Sequence, residues 1–281
     1  MPSVTVVGSI NLDLVATCPR LPRPGETLIA TGFHRYPGGK GANQALASQR
    51  AGAQVTLVAA VGEDDNAEMA TALLREGGVD LSAVVVSDQP TGTAMITVDP
   101  EGENQIVVVP GANHTLDPSI VDTAGAEVVL CQLEVPLEVV EAAARTATGL
   151  FCLNTAPATS LTDEILNRAD VLIMNETERD ELADQIQGTG ALVVVTLGPV
   201  GARAYRKGRM VAEASPPAVT PIDTVGAGDA FCGAFVTALG QGRSITTSLT
   251  WGCAAGAAAT TRPGAQPSLP TVPEIERLLD Q

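Results

Sequence analysis

Between residues 128 and 197, short apolar runs alternate with stretches of helical length, and no other feature limits the fold so tightly. The pattern predicts strands over 128–133, 150–154, 171–174 and 191–197, separated by helices over 137–147, 163–168 and 176–185. The strand runs are apolar at consecutive positions, as in Val171-Leu-Ile-Met174, so both of their faces are buried. Strands of that kind belong to a parallel sheet with helices on both sides. The same alternation starts near residue 4, with a strand over 4–10, a helix over 43–51, a strand over 55–61, and a helix over 66–77 closed by Gly77-Gly78. It ends with a hairpin-like piece over 202–211 and with helices after Asp223, over 246–260 and over 274–279. The connection between Met174 and Ala191 has room for about one helix, close to the roughly dozen residues a parallel crossover needs.

Two segments break the alternation. Residues 20–37 are rich in Pro, Arg and Gly and contain a strand-like piece over 27–31. Runs over 93–98 and 104–109 flank Asp99-Pro-Glu-Gly-Glu103 and read as a β-hairpin with a longer turn. Inserted from about 14–37 and 91–111, these strands are expected to form a small sheet over the site. No repeat or low-complexity linker divides the chain, which predicts one domain over 1–281 carrying this lid.

A chain of 281 residues with 45% hydrophobic side chains can bury a large single core. The net charge of −16, the presence of only two lysines (Lys40 and Lys207) and an aromatic content of 2% leave no basic groove and no stacking platform, which argues against nucleic acid as a partner. Cys18, Cys131, Cys152, Cys232 and Cys253 are scattered, odd in number and form no CxxC pair, so they read as buried thiols in a reducing cytoplasm. No apolar run is long enough to span a bilayer, and residues 1–7 read as a strand rather than a charged leader, so no membrane partner is expected.

The run Asp223-Thr-Val-Gly-Ala-Gly-Asp229, followed by Ala-Phe-Cys-Gly-Ala-Phe-Val, reads as a glycine turn opening a buried helix. Backbone N–H groups at a helix start make an anion site, and Gly226 and Gly228 allow an anion to approach closely. A resting carboxylate there would repel a phosphate. Asp229 therefore makes sense as the base that takes a proton from an alcohol, while the N–H groups of Gly226, Ala227 and Gly228 hold the phosphoryl group under attack. Asn11 and Asp13, two apart on an extended segment, face one way where α/β sheets bind ligands, and they read equally well as caps of a turn. There is no P-loop, because Lys40 in Gly-Gly-Lys-Gly has the wrong spacing, and Phe231 stands where a dinucleotide turn needs a third small residue.

Ten motifs in this order resemble those of the ribokinase-like (PfkB-type) carbohydrate kinases over nearly the whole chain. They are Gly8-Ser-Ile-Asn-Leu-Asp13, Pro22-Arg-Pro-Gly-Glu-Thr27, Pro37-Gly-Gly-Lys-Gly-Ala-Asn-Gln44, Gly102-Glu-Asn104, Pro110-Gly-Ala-Asn113, Gln132-Leu-Glu134, Asn175-Glu-Thr-Glu178, Thr196-Leu-Gly198, the 223–229 turn and Thr261-Arg-Pro-Gly-Ala-Gln-Pro-Ser268. The resemblance implies a three-layer αβα fold with a central, mostly parallel sheet and a small β-sheet lid. It implies an ATP-dependent sugar kinase with Mg²⁺, a K⁺ activator, and pairing of two copies through the lid.

By the same resemblance, Asn11, Asp13, Gly39, Lys40, Asn43 and Glu134 are expected to bind the sugar beside Asp229. Asn175 and Glu178 are expected to organise Mg²⁺ and phosphates, in addition to capping a helix. Thr196, Gly198 and Gly201 are expected along the phosphates and ribose of ATP, with Gly228 at the phosphates and Cys253 beside adenine. Asp223, the carbonyls of Val225, Ala259, Arg262 and Gly264, and the Ser268 hydroxyl resemble a monovalent-cation site. Only Arg35 and Lys40 are basic near the pocket motifs, which fits a neutral polyhydroxyl acceptor better than a sugar phosphate. The resemblance favours D-ribose, phosphorylated on O5. The alternatives are a nucleoside kinase, for which the lid offers only Phe33 and Tyr36, and a catalytically silent sugar-binding relative.

Overall fold

The computed structural model describes residues 1–280. Nine strands of the described residues form one sheet in the order β13-β12-β11-β10-β9-β8-β1-β4-β5. Within it β1 (Ser3–Val7) is flanked by the parallel strands β4 (Gln54–Gly62) and β8 (Val128–Cys131). The sheet continues in parallel through β9 (Leu150–Asn154), β10 (Val171–Asn175) and β11 (Leu192–Thr196) on one side and β5 (Val84–Ser87) on the other. The hairpin β12 (Ala202–Arg206) and β13 (Arg209–Ala214) adds an antiparallel edge. Strands β8 to β11 extend one way from β1, and β4 and β5 the other. The topological switch therefore lies between β1 and β8, where sheets of this class bind ligands beyond the strand ends.

The apolar strands do bury both faces. On one face Val4, Val6, Leu130 and Val194 pack in a single core with α1 (Lys40–Arg50), α2 (Asp65–Glu76), α7 (Ala227–Gly240), α8 (Ile245–Ala259) and α10 (Val272–Leu279). On the other, Val7, Val129, Phe151 and Leu172 pack with α3 (Leu137–Thr146) and α4 (Asp163–Arg168). Three layers result, in agreement with the expected fold class.

Several boundaries differ from the sequence expectation. The first strand stops at Val7, and the chain re-enters as β2 (Asn11–Thr17) in a second sheet, of order β3-β2-β6-β7. Gly8 makes the exit: its N–H donates to Val58 O at 3.1 Å, and a Cβ there would collide with Gln132 and Gly41. The strand-like piece over 27–31 is not a strand. Ile29 is 88% exposed, with nothing to cover it, and β3 is Gly32–Gly38 instead. The hairpin is present as β6 (Gly92–Val98) and β7 (Asn104–Val109). The single helix over 176–185 is two short ones, α5 (Glu176–Glu181) and α6 (Ala183–Ile186), broken at Leu182. Strand β5 and the short helix α9 (Ala265–Ser268) were not foreseen.

Candidate active site

Helix α7 is capped at its start by Gly226, whose φ of 79° lies in the left-handed region, where a Cβ would also meet the Ala265 backbone at 2.8 Å. The turn before it is closed by Ala227 N–H, which donates to Thr224 O at 3.2 Å. Of the three amides expected to hold an anion, Ala227 is thus engaged, while Gly226 and Gly228 have no partner among the described residues. Asp229 sits in the first turn and is only 9% exposed. Both of its oxygens accept amide hydrogens from α1: Asn43 Nδ2 donates to Oδ2 at 2.9 Å and Gln44 Nε2 to Oδ1 at 2.8 Å.

Helix α1 begins three residues earlier than its apolar pattern suggests, because its first amides find partners. Gly39 (φ 88°) bends the chain, Lys40 N donates to Glu134 Oε2 at 2.9 Å, and Gly41 N donates to Ser9 Oγ at 3.3 Å. Ser9 Oγ also donates to Glu134 Oε2 at 2.5 Å. Glu134 therefore anchors this helix start with one oxygen and leaves the other uncommitted. A carboxylate at a helix N-terminus is electrostatically favoured.

Asp13 lies on β2, opposite Tyr36 of β3 and Ala94 of β6. Burial, and then the negative charges of Glu134 and Asp229, push its carboxyl up to about 7. The Asn11 carbonyl oxygen Oδ1 accepts from Asn113 Nδ2 at 2.7 Å, and Asn113 Oδ1 in turn accepts from Ile10 N at 2.8 Å. This fixes which way the Asn11 amide points and leaves its NH₂ to donate. Asn43 Oδ1 is buried without a partner. Donors and acceptors thus converge from β2 and α1 on one side of Asp229.

On the other side lies a cleft of about 170 Å³, lined by Gly226, Gly228, Asn175, Glu178, Thr196 and Lys40, with Asp229 at the junction. Lys40, expected at the sugar, lines this cleft and donates its backbone N–H to Glu134. Burial lowers the tendency of its ammonium to hold a proton, yet Asp229, Glu134 and Glu178 outweigh burial, and the net shift is upward. Asn175 caps α5 in a reciprocal box: Glu178 N donates to Asn175 Oδ1 at 2.8 Å, while Glu178 accepts Asn175 N at 2.9 Å and Nδ2 at 3.0 Å. Burial raises the Glu178 carboxyl against the opposing pull of Asn175 and Lys40. A half-buried carboxylate of this kind, with lone pairs to spare, suits a hydrated divalent cation.

The pfkB family carbohydrate kinase model matches residues 1–272. The chain belongs to the pfkB family of carbohydrate kinases. It is 38% identical to the ribokinase of Haemophilus influenzae, over 99% of this chain and 98% of that protein. The ribokinase of Thermotoga maritima superposes with a TM-score of 0.92 at 32% identity, covering all of both chains. Arabidopsis thaliana ribokinase, solved with ribose and ATP, superposes with a TM-score of 0.89 at 31% identity, over 100% of this chain and 99% of that one.

In this carbohydrate kinase Thr196 ends β11 and donates to Met174 O at 3.3 Å. Gly198 and Gly201 bound a tight turn after it, both with positive φ. Cys253 faces inward from α8: it is 5% exposed, and its thiol donates to Ala214 O of β13 at 3.6 Å.

The kinase's 223–229 turn is tied to the end of α8. Asp223 Oδ1 accepts Val225 N at 2.9 Å and Oδ2 accepts Gly264 N at 2.8 Å, while the N–H groups of Ile222 and Asp223 both donate to Thr260 O, at 2.7 and 3.1 Å. Ser268 Oγ donates to Ala265 O at 2.8 Å and keeps its lone pairs. The Arg262 guanidinium pins the loop through Glu274 Oε1 and Ser268 O. A carboxylate, a hydroxyl and the carbonyls of a helix C-terminus fit a large monovalent cation.

Gln44, Gln132, Asn154 and Ser9 contribute to the site, and motif reading gave them no role. Gln44 and Gln132 stand inside quoted motifs beside assigned residues, but no spacing rule signals that an amide in α1 reaches a carboxylate in α7.

Proposed function

We propose that this kinase transfers the γ-phosphoryl group of ATP to the primary hydroxyl, O5, of free D-ribose. The observation that carries the reading is Asp229, fixed by two amides at the junction of a polar pocket and a cleft that ends in the free N–H groups of α7. The full-length likeness to ribokinases supports the choice of acceptor.

Asn11, Asp13, Gly39, Asn43 and Glu134 hold the sugar hydroxyls, with the Asp13 carboxylate accepting from two neighbours. Asp229 takes the O5 proton as O5 attacks the γ-phosphorus, and the bond from that phosphorus to the β,γ-bridging oxygen breaks in line, releasing ADP. The amides of Gly226 and Gly228 and the Lys40 ammonium stabilise the phosphoryl oxygens. Asn175 and Glu178 would hold Mg²⁺, which would supply positive charge to neutralise the phosphates. Thr196, Gly198 and Gly201 lie along ATP, and Cys253 packs behind the adenine side. Asp223, Ser268 and the carbonyls of Val225, Ala259, Arg262 and Gly264 would hold K⁺, whose charge would steady the turn. The lid, part of one domain over 1–281, keeps water from the phosphoryl group.

Two copies pair through the lid, where β7 exposes all six of its residues. Among the described residues no helix is long and apolar enough to cross a membrane. All five cysteines are buried free thiols, which supports a cytoplasmic setting.

The test is ADP release across D-ribose, deoxyribose, fructose, adenosine and fructose 6-phosphate. D-ribose is expected to give the highest kcat/KM. Preference for adenosine would make the chain a nucleoside kinase, and sugar binding with no turnover would make it a silent relative.

A further inference from the structure

Asp229 does not hold its own orientation, and the groups that hold it extend well beyond the sugar pocket. Gln44 is fully buried, and every hydrogen-bonding group of its amide is used. One Nε2 hydrogen goes to Asp229 Oδ1 at 2.8 Å and the other to Asn154 Oδ1 at 2.9 Å, while Oε1 accepts Gln132 Nε2 at 2.7 Å. Asn154 is itself oriented, because its Nδ2 donates to Ile173 O at 3.1 Å. That backbone carbonyl of β10 therefore sets the direction of the whole chain of amides. Reversing the Gln44 amide would set its carbonyl oxygen against Asn154 Oδ1 and the Asp229 carboxylate, and its NH₂ against the NH₂ of Gln132. Each buried mismatch is costly.

We propose that Gln44, oriented by Asn154 and Gln132, is a positioning residue for phosphoryl transfer. It holds the Asp229 carboxylate in the plane that aims Oδ2 at the acceptor hydroxyl, and so links the base to the carboxyl ends of β8, β9 and β10. Asn43 alone is insufficient for this. It holds Oδ2, the oxygen that has to take the proton, whereas Gln44 holds the oxygen that does not react. The inference rests on Asp229 being the base.

The experiment is a double-mutant cycle of Gln44→Leu and Asp229→Asn, with kcat, sugar Kd and thermal midpoint measured for each protein. In the wild-type background Gln44→Leu lowers kcat about tenfold or more, the scale of a misplaced catalytic group, while sugar Kd moves less than about threefold. In the Asp229→Asn background the same change costs nothing further, because no base is left to aim. An equal loss in both backgrounds, or a loss of sugar affinity as large as the loss of kcat, overturns the proposal. Near-normal turnover of Asp229→Asn alone removes the base reading, and this proposal with it.

Should Gln44→Leu fail to fold, Gln44→Glu serves. A protonated Glu can donate to Asp229 and an ionised one repels it. Its turnover relative to wild type therefore rises as pH falls, and a constant ratio across pH overturns the proposal.

Discussion

The side chain of Asp229 is placed by residues 185 and 186 positions away in the chain. As a base its removal is diagnostic. Asp229→Asn is expected to lower kcat by at least about 10²-fold with sugar affinity much less affected, as read by steady-state kinetics and calorimetry. Near-normal turnover would take Asp229 out of that role.

Asp13 yields a pH dependence. Its folded-state value of about 7 lies above its ordinary 3.8, so between those limits the folded chain holds a proton that the unfolded chain has lost. The stability it contributes is full below about pH 4 and is lost as pH rises through about 7. Asp13→Asn should therefore raise the thermal midpoint of the sugar-free protein at pH 8 and change it little at about pH 4. Sugar affinity runs the other way: the carboxylate accepts two hydroxyls only when ionised, so Kd should weaken below about pH 7. A pH-independent sugar Kd would remove Asp13 from that contact.

Among the elements, the start of α7 and the end of α8 act as one unit, joined through Asp223, Gly264 and Thr260. Gly264, with φ of 79°, lies under the Tyr36 ring of β3, where an added Cβ would come within 3.2 Å. The lid strand opposite Asp13 thus rests on the loop that sets the anion turn. A cation bound there would steady both, so K⁺ should raise kcat over Li⁺ by about fivefold or more, the lower end of ordinary coupling between sites. Activity indifferent to the monovalent cation would refute the cation site.

At the scale of the whole molecule, the lid is the part that the main core does not explain. Ile106, Val107, Val108 and Val109 of β7 are 47% to 60% exposed, on both faces of an unpaired edge. Apolar edges of this kind tend to be covered. Val108 pairs with Ala94, and Ala94 with Asp13, so Val108 lies on the same face of this sheet as Asp13. Ile106→Lys combined with Val108→Lys should shift the protein from twice the mass of one chain to a single chain in light scattering. An unchanged mass would show that this face is not the interface.

The sequence carried what is local. Consecutive apolar residues over 171–174, set between helical stretches, read as a doubly buried strand, and Gly226 before Asp229 reads as the turn that opens a helix. The 93–109 hairpin is legible because its turn chemistry lies between two β-branched runs. Other features depend on distant partners. The first strand ends at Val7 because Gln132 and Gly41 press on Gly8. Residues 27–31 stay irregular because no second layer covers Ile29. Which amide holds Asp229, and the place of Lys40 in the lining of the cleft beside it, follow from packing α1 against α7 over the switch between β1 and β8. Hydrogen-bond partners are chosen by proximity in space, and only the closed sheet brings residues 44, 132, 154 and 229 to one place.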